Sequence, residues 1–418
     1  LTLGSVISSA TDLDPPPRQL VLAWAATLAA LIAVTYPLWV PGREVPTVVP
    51  HVALVGATAA ASFAGLLLIA WGGIGSLLSS RRSRGKIAAV LTGLCLFAAV
   101  DELRWQAWAY HALVVGTFLW LATPSTALQL TRWLAVGIYG YSAIAKLDVV
   151  FADTLGQQML IALGDPVGIP IESLSVTARR AAALALPVAE LAIAGALGAA
   201  IRWPRLRPYG IAFTVLQHAL TIGLLGPWAL DHGWGVLIWN VGFATQTAVA
   251  FLTIDRPANH SASLSTTTRR FTPDGVATAL CGLVLITPLA YAAGYGDAWL
   301  NAAFYAPRGE RATVFVQRDA VERLPQTLRQ YVDNNDEPWQ RLRLSDWVLS
   351  DTEAPLPPQN RHDAALAIAI GQRFALSERL RVVAEGPANR LTGGRASTTL
   401  TGEEAIRPAA CGRTAVWP

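Results

Sequence analysis

Nine predominantly apolar runs, each fifteen to thirty residues long, follow one another between residues 19 and 294. A bilayer's hydrocarbon core is about 30 Å thick and takes roughly 20 apolar residues of helix to cross. Inside it every backbone polar group must be satisfied within the segment, so a run of this kind has to be helical. The runs at 19–40, 49–78, 87–101, 106–123, 130–150, 180–201, 209–228, 233–254 and 274–294 are therefore read as about nine transmembrane helices of an all-α polytopic bundle. Past residue 296 the composition changes. Residues 297–418 hold 15 arginines and 15 acidic residues, as a water-soluble fold would, although the whole chain is only 14% charged. Soluble domains average roughly a quarter. Three parts are expected: a cytoplasmic segment 1–18, a bundle over 19–295, and a small α+β domain over 296–418.

Orientation follows from the basic residues between the runs, which favour the cytoplasmic side. With the N-terminus inside, the inner segments carry Arg18, Arg81, Arg82, Arg84, Lys86, Arg132, Arg202, Arg205, Arg207, Arg256, Arg269 and Arg270, against Arg43, Arg104, Arg179 and Arg180 outside. An odd number of crossings then makes the C-terminal domain extracytoplasmic, which fits a bacterial inner membrane. Residues 1–18, with Pro15-Pro16-Pro17, lack the basic start of a secretory signal. The net charge of +4 lies in short clusters between apolar runs rather than on one surface, so nucleic acid is not an expected partner. In the tail, 311–317, 341–349 and 379–385 read as strands, 318–333 and 359–374 as helices, and Gly393-Gly394 as a turn.

Ionisable groups within apolar spans cost roughly 2.5–3.5 kcal/mol each and mark places where function is concentrated. Lys146, Glu190, His111 and His218 are such groups, with Asp101, Arg104 and Asp148 at span ends. Tyr139, Ser142 and Lys146 are spaced i, i+3, i+7 and share one helix face, which lipid would reject. A lysine removed from water loses its proton more readily and can act as a base. Of 32 basic residues only Lys86 and Lys146 are lysine, and arginine, always protonated, could not do this chemistry. The simpler alternative is that Lys146 reaches the outer interface and pairs with Asp148 or Asp101. Glu190, three residues after Pro187, could pair with Lys146 or His218, or remain a neutral acid bonded to a carbonyl freed by the proline. His111 and His218 read as interior histidines or ligand contacts. No metal-ligand spacing, GxGxxG or P-loop pattern is present.

The segment IYGYSAIAKLDVVFADTLGQQML resembles the Y-x-x-S/A-x-x-x-K-L motif of the horizontally transferred transmembrane (HTTM) family, which includes the vitamin K-dependent γ-carboxylases. DELRWQAWAYH is similar to the D-x-x-R-x-Q-P-W-x-Y signature of bacterial DoxX-like membrane proteins, with Ala107 in place of the proline. LGPWALDHGWGVLIWN resembles their G-P-x-x-x-x-N/H-x-W-x-V-x-x-W-N segment, and SDWVLSDTEAPLPPQNRHDAALAIAIGQRF a tail element of the same proteins. The resemblance covers roughly residues 95–375. It implies a helical bundle with a lipophilic pocket, Lys146 as catalytic base, and His111 at the active-site histidine by position. The γ-carboxylases carry a much larger lumenal region than this tail, so a protein carboxylase is not expected.

Three functions are compatible with these features. One is an enzyme that deprotonates or oxidises a lipophilic, quinone-like substrate in an outward-facing pocket, with Lys146 and His111 catalytic and Tyr139, Ser142, Glu190, His218, Arg104 and Asp101 binding. A second is a non-catalytic subunit that anchors a larger membrane complex through its C-terminal domain. A third is a transporter, although neither inverted repeats nor broken half-helices are evident. Membrane lipid is an expected partner, quinone or lipid the expected ligand, and no metal is expected.

Overall fold

A computed structural model describes residues 16–40, 42–48, 58–78, 83–253, 272–292 and 296–411. Each of the nine apolar runs holds a helix: α1 (Arg18–Val34), α2 (Thr58–Leu78), α3 (Ser83–Val100), α4 (Ala107–Leu121), α5 (Pro124–Lys146), α6 (Val176–Arg202), α7 (Arg207–Leu225), α8 (Trp234–Leu252) and α9 (Pro273–Ala292). Among the described residues, however, only four helices are long and apolar enough to cross a membrane: α2, α6, α7 with the turn before it, and α8. The expected count of nine is not supported by helix length and apolarity. Apolar helices α1 and α4 fall short in length, as does α9 over its described part, Pro273–Leu289. Helix α3 opens on Arg84 and Lys86, and α5, at 23 residues, has polar residues interspersed along it. The reason is visible in the packing. Helix α5 lies against α4, α6, α8 and α9 and buries more than half of its circumference, leaving one face with Gln129, Trp133 and Ile144 exposed, so it need not be apolar throughout.

The peripheral helices carry large exposed apolar side chains, as a lipid-facing surface would: Phe63, Leu67, Trp71 and Ile74 on α2, and Phe213, Leu216 and Leu220 on α7. Small residues set how closely helices approach. A Cβ on Gly93 of α3 would fall 2.7 Å from the Gly65 carbonyl oxygen of α2, so the two backbones pack nearly in contact.

The C-terminal region forms an antiparallel sheet in the order β2-β1-β3-β4, with β1 Arg311–Gln317, β2 Trp339–Leu342, β3 Leu380–Glu385 and β4 Ser397–Thr401. Helix α11 (Asn360–Arg373) packs on β1 and β3. Strands expected at 311–317 and 379–385 and the helix at 359–374 are present within a residue or so. Two expectations need correction. The strand expected over 341–349 ends at Leu342, and α10 (Leu344–Thr352) follows, burying Leu344, Trp347 and Val348 at helical spacing. The helix expected over 318–333 is instead a 3-10 turn, Arg318–Arg323, and one short turn, Gln326–Arg329, separated by Leu324-Pro325. Helix α12 (Glu403–Ala410) closes the region.

This region sits on one end of the bundle. The turn between α3 and α4 presents Glu102, whose carboxylate lies 3.2 Å from both His362 Nε2 and Arg361 Nη1 on α11. Tyr110 donates to Asp297, the Val45 amide to Asp351, and the Val149 amide to the Arg390 carbonyl. Burial alone would raise the Glu102 carboxyl. The hydrogen bond from His362 and the charges of Arg361 and His362 outweigh it and hold the group below its ordinary value. Because the folded value is depressed, the stabilisation is present at neutral pH and is lost as pH falls through that value. Glu102→Gln is therefore expected to lower the melting temperature by about 2–4 °C at about pH 7, with the gap to wild type closing as the pH falls through the depressed carboxyl value. Thermal unfolding of both proteins in detergent measures this, and a pH-independent gap refutes it.

Candidate functional site

The site is built on the polar face of α5. Tyr139, Ser142 and Lys146 are all buried, and the face turns towards α6, α7 and α8. Lys146 Nζ donates to Ser142 Oγ at 2.8 Å and lies 2.5 Å from Glu190 Oε2 on α6. Their side chains are 9% and 12% exposed, so this is an ion pair largely withdrawn from water. Such a pair persists only where geometry and extra hydrogen bonds offset desolvation, which Ser142 helps to do. Pro187, one turn before Glu190, lines the same cavity and removes the N–H that would bond the Ala183 carbonyl. Lys146 is thus joined to Glu190 rather than to Asp148 or Asp101. Asp148 caps the following short helix through the Phe151 amide.

A second chain of hydrogen bonds runs along the other wall. Asn240 Nδ2 donates to the Val236 carbonyl at 2.8 Å, which turns Asn240 Oδ1 towards His218 Nδ1, also at 2.8 Å. His218 therefore carries its proton on Nδ1, leaving Nε2 to accept from the Tyr139 hydroxyl at 2.6 Å. Phe243 packs against Tyr139, His218 and His111 and backs this chain with an aromatic wall. Tyr305, from the segment after α9, also reaches Asn240. Burial raises its phenol pKa more strongly than that hydrogen bond lowers it, so Tyr305 is held protonated.

Between the two chains lies a cavity of about 100 Å³. Half-buried residues line it from several elements: Ile138 on α5, Leu186 and Glu190 on α6, Gln217 and Thr221 on α7, Trp239 on α8, and Phe304 and Tyr305 after α9. A cavity of roughly 150 Å³ takes up benzene. This one is smaller, and a ring enters only if part of the lining moves.

The sequence-predicted residues divide into two groups. Tyr139, Ser142, Lys146, Glu190 and His218 converge on the cavity. His111 stands one layer back, its ring edge-on to Trp239 and Phe243 at 5.0 and 5.4 Å. Asp101 and Arg104 do not reach the cavity. Asp101 pairs with Arg43 at 2.5 Å and with Arg104 at 3.5 Å, and it accepts from the Val48 and Leu103 amides. Arg104 donates to Ser62 Oγ and the Leu38 carbonyl. This network ties the start of α2 to the turn before α4. Sequence reasoning passed over Asn240, although it is the one asparagine in the nine apolar runs. It also missed Phe304 and Tyr305, which no spacing rule links to α5. Among the described residues no group of three His, Cys, Asp or Glu could hold a metal. The chain matches no protein-family profile, no curated protein and no solved structure.

Removing the carboxylate from the Arg43–Asp101–Arg104 network leaves buried guanidinium groups unpaired. Asp101→Ala should cost about 3–5 kcal/mol of stability and leave the Lys146 cavity unaltered. Chemical denaturation in mild detergent reads the first; a loss below about 1 kcal/mol would show that water replaces the carboxylate.

Proposed function

We propose that this chain is a polytopic membrane protein of the HTTM and DoxX-like kind that binds a lipophilic, quinone-like substrate beside Lys146 and takes a proton from it. The observation that carries this reading is the Lys146–Glu190 pair, set in a cavity lined from α5, α6, α7 and α8. Glu190 can accept a proton from the lysine ammonium, which frees the Lys146 amine to receive the proton of a substrate hydroxyl. Ser142 Oγ holds Nζ in place, and the Tyr139–His218 chain offers hydrogen-bonding groups on the opposite side of the ring. The rest of the lining is mainly apolar, with Phe151, Met159, Leu186 and Phe243 among it, which suits a lipophilic substrate.

The same reading takes the chain to cross a bacterial inner membrane nine times, with the N-terminus in the cytoplasm and the C-terminal domain outside. Support comes from the basic residues between the runs and from where the domain is tied down. Its hydrogen bonds go to Val45 beyond α1, to Glu102 between α3 and α4, and to Ile144 and Val149 at the end of α5. These are the ends that alternate crossing assigns to one side.

Lys146→Arg keeps the positive charge but cannot act as a base, so oxidation of a ubiquinol or menaquinol analogue by an added one-electron acceptor such as ferricyanide should fall at least about 100-fold with the fold intact. Steady-state assays of purified variant and wild type decide this, and equal rates would sink the catalytic role. A second reading, an anchoring subunit of a larger membrane complex, draws on the internal pairing of Lys146, His218 and Asn240, which leaves the site electrically self-contained. Purification in a gentle detergent separates the two. A stoichiometric protein partner favours the anchor, and a lone chain with bound quinone favours the enzyme.

A further inference from the structure

A cavity of about 340 Å³ lies where the end of α9 meets the C-terminal region, and it shares no lining residue with the Lys146 cavity. Its walls are Tyr291 near the end of α9, Asp297, Arg308 and Glu310 before β1, and Gln359 and Arg361 at the start of α11. Two of these are already engaged. Arg361 contacts Glu102 and Gln359, and Asp297 accepts from Tyr110 and from the Trp299 and Leu300 amides.

The others keep bonding capacity that the described residues do not use. Gln359 is only 5% exposed. Its Oε1 accepts from Arg361 Nε at 3.2 Å, which fixes the amide, and nothing among the described residues accepts from Nε2. A donor buried in this way is costly unless a bound molecule takes its bond. Arg308 gives one long hydrogen bond, to the Ala388 carbonyl at 3.5 Å, and Glu310 accepts from the Asn360 amide at 3.2 Å. Among the described residues neither forms an ion pair, although only Gly309 separates them in sequence. Burial lowers the Arg308 guanidinium and lifts the Glu310 carboxyl from their ordinary values, so both charges have left water without a counter-charge in contact. A Cβ on Gly309 would fall 2.9 Å from the Tyr291 hydroxyl, which therefore stands beside the same segment.

An unpaired cation and an unpaired anion on one cavity fit a molecule that carries both charges a few bonds apart. The adjoining surface indicates its source. Leu283, Ile286 and Leu289 of α9 are exposed, as acyl chains would cover them, and the helix ends at the level of the cavity. We propose that this cavity holds the headgroup of phosphatidylethanolamine, its phosphate on Arg308 and the Tyr291 hydroxyl and its primary ammonium on Glu310, with Gln359 Nε2 donating to a headgroup oxygen. The guanidinium fork suits the phosphate. Phosphatidylcholine brings the same phosphate, but its trimethylated nitrogen has no N–H to give Glu310. The proposal rests on the membrane placement above and is independent of the chemistry at Lys146.

The test places the full chain in nanodiscs of equal parts dioleoyl phosphatidylethanolamine and dioleoyl phosphatidylcholine and weighs the lipid it retains by native mass spectrometry. Retained phosphatidylethanolamine should exceed phosphatidylcholine at least about tenfold, the factor that one hydrogen bond between charged groups supplies. Glu310→Gln should abolish that preference, and Arg308→Gln should cut retention of both lipids at least about tenfold, in variants that elute as the wild type does. Equal retention of the two lipids by the wild type would overturn the proposal without recourse to a variant. So would retention unchanged in both variants. Full displacement of the lipid by an equal concentration of water-soluble O-phosphoethanolamine would assign the cavity to a soluble zwitterion and overturn the headgroup as its occupant. Failure of the chain to enter the disc would overturn the membrane placement and this proposal with it.

Discussion

A charge pair held away from water between α5 and α6 governs how this molecule is arranged. Lys146 and Glu190 belong to different helices, and each would be costly alone in a low-dielectric setting. Their attraction fixes the rotation of α5 against α6. Once α5 is set, Tyr139 and Ser142 share the inward face with Lys146, and His218 and Asn240 complete a second polar line opposite. The aromatic residues Trp239 and Phe243 then fill what remains and give the cavity a hard wall. Apolar burial supplies the bulk of the packing energy, but it is directionless. The polar pairs choose one rotation of each helix from many of similar apolar contact.

How much of this was legible beforehand depends on what kind of signal each residue emits. Lys146 stood out because lysine is so rare in the chain, and its i, i+3, i+7 companions gave its face. Glu190 was legible as a costly residue, but its partner was not, since pairing between helices leaves no local pattern. Asp101 and Arg104 emitted the same signal as Lys146 and proved to be ties between helix ends. A buried charge marks a place where something must be satisfied, and it does not say whether a ligand or the protein satisfies it. Phe304 and Tyr305 were silent because they follow the last helix and enter the site only through tertiary folding.

The same limits apply to the fold. Apolar runs located all nine helices, because a run of that length has few alternatives. They did not give the lengths, since hydropathy cannot tell a helix facing lipid from one, like α5, that buries most of its surface against other helices. In the tail, the stretch RLRLSDWVL alternates as a strand does over its first four residues. Its later apolar members Leu344, Trp347 and Val348 also fit a helix, and burial of those three, on a helix that packs against Tyr36–Trp39, decided the matter. Strand β4, STTLT, carries little apolar pattern, and pairing with β3 is what orders it.

The ion pair also bears on how the chain is made. Lys146 leaves the ribosome well before Glu190, with a polar loop and several short helical turns between them. If α5 entered lipid on its own, it would carry an uncompensated ammonium and a row of unmatched hydroxyls, at a cost of roughly 2.5–3.5 kcal/mol for the charge alone. On the proposed reading, in which both helices cross the membrane, α5 is better retained at the insertion machinery until α6 arrives, so that the two enter as a hairpin whose charges cancel. The cavity is closed later still, by α8 and the segment that follows α9. Synthesis order thus makes the candidate site the last part of the bundle to become complete.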